Sequence, residues 1–183
     1  MAQEALTYLL VDGENIDGAL GNILNRKPDP QQRPRWQRLL SFAEATWERP
    51  VRGLFFINAT TGLHAPFLQA LMAIGYRPIP LAGKDNEKVV DIGIQRTLRA
   101  LREREGHVLL ASHDADFVAD MAALAGGGRR IGLMAFSELV SQQLREVRGL
   151  EIFDLEEHAH AFDVDLPRVR IISIDDFDPL KYL

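Results

Sequence analysis

Short runs of apolar residues alternate along the chain with longer stretches in which apolar residues recur every three to four positions. The short runs predict strands at residues 7–12, 51–58, 76–81, 107–111, 130–136 and 150–153. The longer stretches predict helices at residues 14–24, 35–47, 66–74, 89–104, 116–125 and 138–145. Strands and helices that alternate in this way are typical of parallel strands joined by right-handed crossovers. We therefore expect an α/β fold, a three-layer α/β/α sandwich with a mostly parallel central sheet.

Composition narrows the class of protein. The chain has 183 residues and no cysteine, which excludes disulfides, thiolate zinc sites and cysteine nucleophiles. Its apolar runs are far shorter than the ~18 residues of a membrane-spanning helix, and the N-terminal residues lack the basic start of a signal peptide. We expect a cytoplasmic protein with no membrane partner.

The net charge of −5 is unevenly distributed. Residues 151–183 hold three of the 21 basic and nine of the 26 acidic residues, so the rest of the chain is close to neutral. This predicts one domain over residues 1–155 and an acidic C-terminal extension over residues 156–183. The alternating residues 168–174 favour an added strand or a docking segment, so we expect the extension to pack on the domain or on a second copy of the chain in a homodimer.

Acidic and polar residues follow the predicted strands at the points where they end. The first strand ends in Asp12-Gly-Glu-Asn15, and the fourth is followed by Ser112-His-Asp114-Ala-Asp116. Lys88-Val-Val-Asp91 opens the helix that precedes the fourth strand. In an open α/β sheet, ligands bind outside the carboxyl ends of the strands. Each of these residues on its own is better explained as a helix cap or a first-turn acid.

Taken together, the acids indicate a cation site. Four carboxylates at one edge of a sheet repel each other, and burying them without a partner is costly. A bound cation removes that objection, and oxygen ligands without cysteine suit Mg²⁺ or Mn²⁺. Ions held in this way orient a water and a phosphodiester for in-line attack.

These motifs, in this order, resemble the NYN domain of the LabA-like branch of the PIN-like nucleases, over residues 5–155. The resemblance implies an α/β/α sandwich, a divalent metal and RNA as substrate. It implies that Asn15 positions a ligand or water and that Ser112 places a hydroxyl at the edge of the site. The metal-binding acids that it implies are Asp12, Asp91, Asp114 and Asp116.

The chain departs from that family at two places. His113 stands where relatives usually have glycine, and residues 95–97 (Gln-Arg-Thr) stand where many relatives have a further acid. The number of metals, one or two, therefore stays open. Further groups that we expect to contact nucleic acid are the cations Lys84, Lys88 and Arg96 together with Ser112 and His113.

Two functions follow as expectations. The first is a Mg²⁺- or Mn²⁺-dependent ribonuclease with Asp12, Asn15, Asp91, Asp114 and Asp116 as its catalytic residues. The alternative is a non-catalytic RNA-binding or regulatory protein that retains the fold. Motifs for dinucleotide binding, P-loop nucleotide binding and the serine-hydrolase elbow are absent from the sequence. A phosphatase of the haloacid dehalogenase kind needs Asp-x-Asp after the first strand, where this chain has Asp-Gly-Glu.

Overall fold

The computed structural model describes residues 5–169 and 172–183. Its sheet contains strands β1 (Thr7–Asp12), β2 (Val51–Asn58), β3 (Tyr76–Leu81), β4 (His107–Ala111), β5 (Ile131–Ala135) and β6 (Leu150–Asp154). The spatial order is β3-β2-β1-β4-β5-β6, and every pairing is parallel. β3, which contains two prolines, lies at one edge of the sheet, where a missing backbone N–H is tolerated.

Helices connect the strands and cover both faces of the sheet. The α-helices of the described residues are α1 (Gly13–Leu24), α2 (Trp36–Trp47), α3 (Ala65–Ala73), α4 (Val89–Leu101), α5 (Val118–Leu124) and α6 (Gln142–Arg145). Because side chains alternate along a strand, Leu10 and Leu110 face the core under α4, α5 and α6, whereas Leu9 and Leu109 face the core under α1, α2 and α3. The expected three-layer α/β/α sandwich is confirmed.

Two of the predicted helices are each divided into a 3₁₀ turn and a shorter α-helix. The pattern over residues 116–125 is a single turn of 3₁₀-helix (Ala115–Phe117) followed by α5, because Asp114 caps the turn by accepting the Asp116 N–H at 2.8 Å. The pattern over residues 138–145 is likewise a 3₁₀ turn (Ser137–Leu139) and the short α6. Ser141 separates them, because its hydroxyl accepts the Leu144 N–H at 3.3 Å and starts a new helix.

The segment after β6 has two parts. Leu155, Ala159, Ala161 and Leu166 are buried and belong to the core on the α1–α3 side of the sheet. Residues 172–183 form two 3₁₀ turns and are exposed. The predicted strand over 168–174 includes residues 170 and 171, which lie outside the described residues. The flanking residues that are described belong to no strand, and Ile174 lies in a 3₁₀ turn.

No α-helix within residues 5–169 and 172–183 has the length and the apolar content that crossing a membrane requires.

Candidate metal centre

The strand order reverses between β1 and β4, in the middle of the sheet. β1 continues through α1 and α2 to β2 on one side, and β4 continues to β5 on the other. The helices that leave these two strands therefore diverge and open a crevice at their carboxyl ends. Val11 pairs with Ala111, so Asp12 and Ser112, the next residue of each strand, are neighbours at this crevice. This is the position at which the sequence analysis places the acidic cluster.

Asp12 is the buried member of the cluster. Its side chain accepts hydrogen bonds from the Asn15 N–H at 3.3 Å and from the Ser112 hydroxyl at 3.1 Å. The residue is 2% exposed, and burial raises the pKa of its carboxyl to about 6. The two hydrogen bonds lower that pKa, and the charges of Asp91 and Asp114 raise it further. The structure therefore holds a carboxylate that is costly to ionise unless a positive charge lies nearby.

The other three acids form a group of their own, which Asp12 adjoins but does not belong to. Asp91, Asp114 and Asp116 each offer one carboxylate oxygen, and these three oxygens all lie within 4.8 Å of one another. Asp91 and Asp114 are partly buried, whereas Asp116 is exposed. Three oxygens at this spacing are the kind of donor set that a hard divalent cation takes.

Asp91 reaches the cluster because α4 begins two residues before it. Burial raises the pKa of Asp91, the charges of Asp114 and Asp116 raise it further, and Lys88 lowers it. The Lys88 ammonium lies 3.8 Å from the Asp91 carboxylate and 4.0 Å from that of Asp116. Its side chain is 74% exposed, so the ammonium can turn away from the acids at little cost.

Asn15 and His113 hold the two loops of the crevice together. The Asn15 side-chain oxygen lies 2.8 Å from the His113 backbone nitrogen and 3.0 Å from the His113 Nδ1, and it accepts from both. The other ring nitrogen, Nε2, accepts the Phe136 N–H at 2.7 Å. These partners fix a neutral ring, and burial lowers the pKa of His113 to about 4. Neither ring nitrogen can contact a ligand without losing its present bond.

Capping and clustering occur together at this site. Asp12 caps α1, and Asp114 caps the 3₁₀ turn while its backbone N–H donates to Ser112 at 3.2 Å. Asp12 and Asp114 are therefore helix caps as well as members of the cluster. Each cap uses one carboxylate oxygen, and it fixes the direction of the side chain toward the crevice.

Two of the expected RNA-contacting cations lie beside the cluster rather than in it. Arg96 lines a separate cleft with Phe56 and Leu81, on the side of α4 that faces β3. Lys84 lies in the turn before α4, where its backbone N–H donates to Glu87 at 2.8 Å. Within the described residues, neither side chain forms an ion pair.

An aromatic cleft that the sequence does not predict lies next to the cluster. It has a volume of about 220 Å³ and begins at Gly13, the residue after Asp12. Its wall includes Trp36, Phe55 and Phe67, with Trp36 and Phe67 packed edge-on against Phe55 at 4.9 and 5.6 Å between ring centroids. The three rings come from α2, β2 and α3, so no local spacing in the sequence indicates that they meet.

The fold and the site define an α/β/α sandwich protein with an acidic cluster at the switch point of its sheet. No protein-family model matches the chain, and no curated protein matches it either. Among solved structures, the chain is similar to a crystal structure of a protein of unknown function from Vibrio parahaemolyticus. The TM-score is 0.66 and the identity 16%, over 86% of this chain and 97% of that one. This likeness supports the fold alone.

Proposed function

We propose that this protein is a Mg²⁺- or Mn²⁺-dependent ribonuclease that hydrolyses RNA phosphodiester bonds at the Asp12–Asp91–Asp114–Asp116 cluster. The observation that supports the proposal is the convergence of three carboxylate oxygens within 4.8 Å, near a fourth, buried carboxylate whose pKa the charges of Asp91 and Asp114 raise. Such a concentration of negative charge in a crevice favours a divalent cation strongly.

The residues of the site fit that ion. Asp91, Asp114 and Asp116 would hold it, and the buried Asp12 would add charge from behind. A bound Mg²⁺ or Mn²⁺ would supply charge stabilisation at the phosphate and an activated water. The protein's own part is to orient the acids, through the hydrogen bonds that Ser112 gives to Asp12 and that Asp114 receives from the Asp116 N–H.

RNA is the substrate class that the surroundings favour. Lys88 is exposed beside the acids, where its ammonium can contact a phosphate. The cleft that begins at Gly13 offers aromatic side chains to a base of a single strand that crosses the site. The backbone and a base of one strand would then be bound on adjacent surfaces.

One observation favours a second candidate, a non-catalytic RNA-binding or regulatory protein. The Lys88 ammonium already lies within 4.0 Å of two of the carboxylates, so part of the charge that a cation would balance is balanced by the protein. Gln95, at the position of a further acid in many relatives, donates its amide to the Asp116 carbonyl at 3.4 Å. This arrangement suits a site that binds without turnover.

The test is cleavage of an end-labelled RNA by the full chain in the presence of Mn²⁺. We expect cleavage by the wild type and a loss of about 100-fold or more in Asp91→Asn and Asp114→Asn, as is typical when one charge-stabilising group is removed. Asp165→Asn is the matched control, because it removes an exposed acid outside the cluster. Binding of RNA without cleavage would support the second candidate, and cleavage undiminished in both cluster variants would refute the proposed site.

A further inference from the structure

Another cleft lies at the opposite ends of the strands from the acidic cluster. Its volume is about 550 Å³, and its wall includes Arg49, Arg102, Arg104 and Arg129. Arg49 precedes β2, Arg129 precedes β5, and the other two follow α4, so the cleft opens at the amino ends of the strands. Strands of five or six residues place it about 15–20 Å from the acids. It is therefore a separate site.

The cleft carries positive charge that the protein does not balance. None of the four arginines forms an ion pair within the described residues. Elsewhere, Arg35 and Arg38 share Asp163 and Arg130 pairs with Glu151. Glu103 and Glu105 also line the cleft, so the lining retains two net positive charges.

His107 adds a hydrogen-bond donor to this wall. Its Nδ1 accepts the Arg130 N–H at 3.1 Å, so the ring proton lies on Nε2. The residue is 6% exposed and packs edge-on against Trp47. Among the described residues, Nε2 has no hydrogen-bond partner. A ring N–H without a partner in a wall of arginines is a group that can donate to an anion.

The glycine loop before β5 completes the wall. Gly127 and Gly128 have φ of 62° and 77°, and the Arg129 N–H closes the turn on the Gly126 carbonyl at 3.1 Å. A Cβ on any of the three glycines would contact nothing within 4 Å, so packing does not require them. The Gly127 and Gly128 backbone N–H groups have no acceptor in the part of the chain that the structure describes, whereas Gly126 pairs with Arg129 in an isolated β-bridge. Consecutive N–H groups in such a turn form concavities that bind phosphate.

We propose that this cleft binds a small ligand with two or more phosphate groups, such as a nucleoside diphosphate or inorganic pyrophosphate. Several guanidinium groups around one cavity match phosphate oxygens, because each presents paired donors in a plane. The Arg129 guanidinium donates to the Arg104 carbonyl, which fixes its position without using all of its donors. The volume is within the usual range for small-molecule sites.

The test is isothermal titration calorimetry of the full chain with pyrophosphate and with ADP, in metal-free buffer of fixed low ionic strength. We expect saturable binding with a Kd below about 1 mM. Arg102→Gln/Arg104→Gln should raise that Kd by about tenfold or more, because it removes two charged donors. The matched control is Arg77→Gln/Arg148→Gln, which removes the same charge from exposed arginines elsewhere and should change the Kd less than about twofold.

Several outcomes separate the possibilities. Equal affinity for pyrophosphate and ADP would support recognition of the phosphates alone, and tighter binding of ADP would support a nucleotide. Binding that persists in Asp114→Asn would show that this site is independent of the proposed ribonuclease centre. No saturable binding up to about 5 mM, or equal losses in the two double variants, would overturn the proposal. Binding of an RNA oligonucleotide at this cleft without binding of pyrophosphate or ADP would also overturn the proposal.

Discussion

Asp12 is the residue at which burial and charge conflict most strongly. It is 2% exposed, and its pKa rises from 3.8 in the unfolded chain to about 6 in the folded protein, mainly because burial disfavours the carboxylate. The folded protein therefore binds more protons than the unfolded chain between these pH values. Stability falls as the pH rises through this interval, and the full cost is present above pH 6.

Replacement of this carboxyl by an amide tests that cost. In metal-free buffer at pH 7–8, we expect Asp12→Asn to raise the free energy of unfolding by about 1–3 kcal/mol, because a buried charge is removed. The difference should disappear below about pH 4, where Asp12 is protonated in both states. Denaturant unfolding at several pH values measures it. Lower stability of the variant at pH 8 would contradict the raised pKa.

The residues of the cluster could be predicted from the sequence, but their hydrogen-bond partners could not. Asp12, Asp91 and Asp114 were predicted at one edge because strand ends and helix starts can be identified from periodicity. The hydrogen bonds of His113 with Asn15 and Phe136 join three loops that are far apart in sequence. Side-chain partners of this kind depend on tertiary distances, which a residue pattern does not contain.

Among the elements, the start of α1 depends on close contact with β2. A Cβ on Gly13 would lie 2.7 Å from two atoms of the Phe55 ring. That ring is buried and packed against Trp36, Phe67 and Tyr76, so it cannot move aside easily. Since Asp12 caps this helix, the contact also fixes where its carboxylate lies.

A methyl group at Gly13 should disturb both the packing against Phe55 and the geometry of the acidic cluster. We expect Gly13→Ala to lower the free energy of unfolding by about 1–3 kcal/mol, as overpacking of a core does. We also expect it to weaken Mn²⁺ binding. Gly18→Ala is the control in the same helix, where a Cβ contacts nothing within 4 Å and should stabilise the helix by up to about 1 kcal/mol. Equal effects of the two substitutions on stability would contradict the close contact.

Among the secondary-structure elements, the strands were predicted more accurately than the helices. Continuous apolar runs identify buried parallel strands, and all six predicted strands are present. The helical pattern does not reveal caps inside it, so the turns at Asp114 and Ser141 were missed. A hydroxyl or carboxylate that binds the backbone locally competes with the helix in a way that apolar spacing does not register.

At the scale of the whole molecule, the acidic C-terminal segment is bound to the domain in part. Asp163 accepts hydrogen bonds from the Arg35 and Arg38 side chains at 2.5 and 2.7 Å, and these bonds lower its pKa. Leu155 and Leu166 are buried in the core beneath it. Residues 172–183, in contrast, are exposed throughout.

Because one part of this segment is buried and the other is exposed, truncation and a core substitution should affect stability differently. Truncation after Ile171 should change the free energy of unfolding by less than about 0.5 kcal/mol, because the removed residues 172–183 are exposed. Leu155→Ala should lower it by about 2–5 kcal/mol, because it empties a fully buried position. Circular dichroism during urea unfolding measures both. A large loss on truncation would contradict the described placement of the segment.

The sequence predicted the layered architecture but not which distant residues meet. Alternation of strands and helices indicates a parallel sheet, whereas the strand order and the approach of Arg49 to Arg102 and Arg104 follow only from the packed structure. The pairing of Asp163 with two arginines about 125 residues earlier is equally non-local.

The most direct measurement is a titration of the full chain with Mn²⁺, in which electron paramagnetic resonance measures the concentration of the free ion. We predict saturable binding of at least one ion per chain with a Kd below about 1 mM, weakened about tenfold or more in Asp91→Asn and in Asp114→Asn but unchanged in Asp165→Asn. Absence of saturable binding by the wild type, or binding that both cluster variants retain in full, would contradict a metal centre at this crevice.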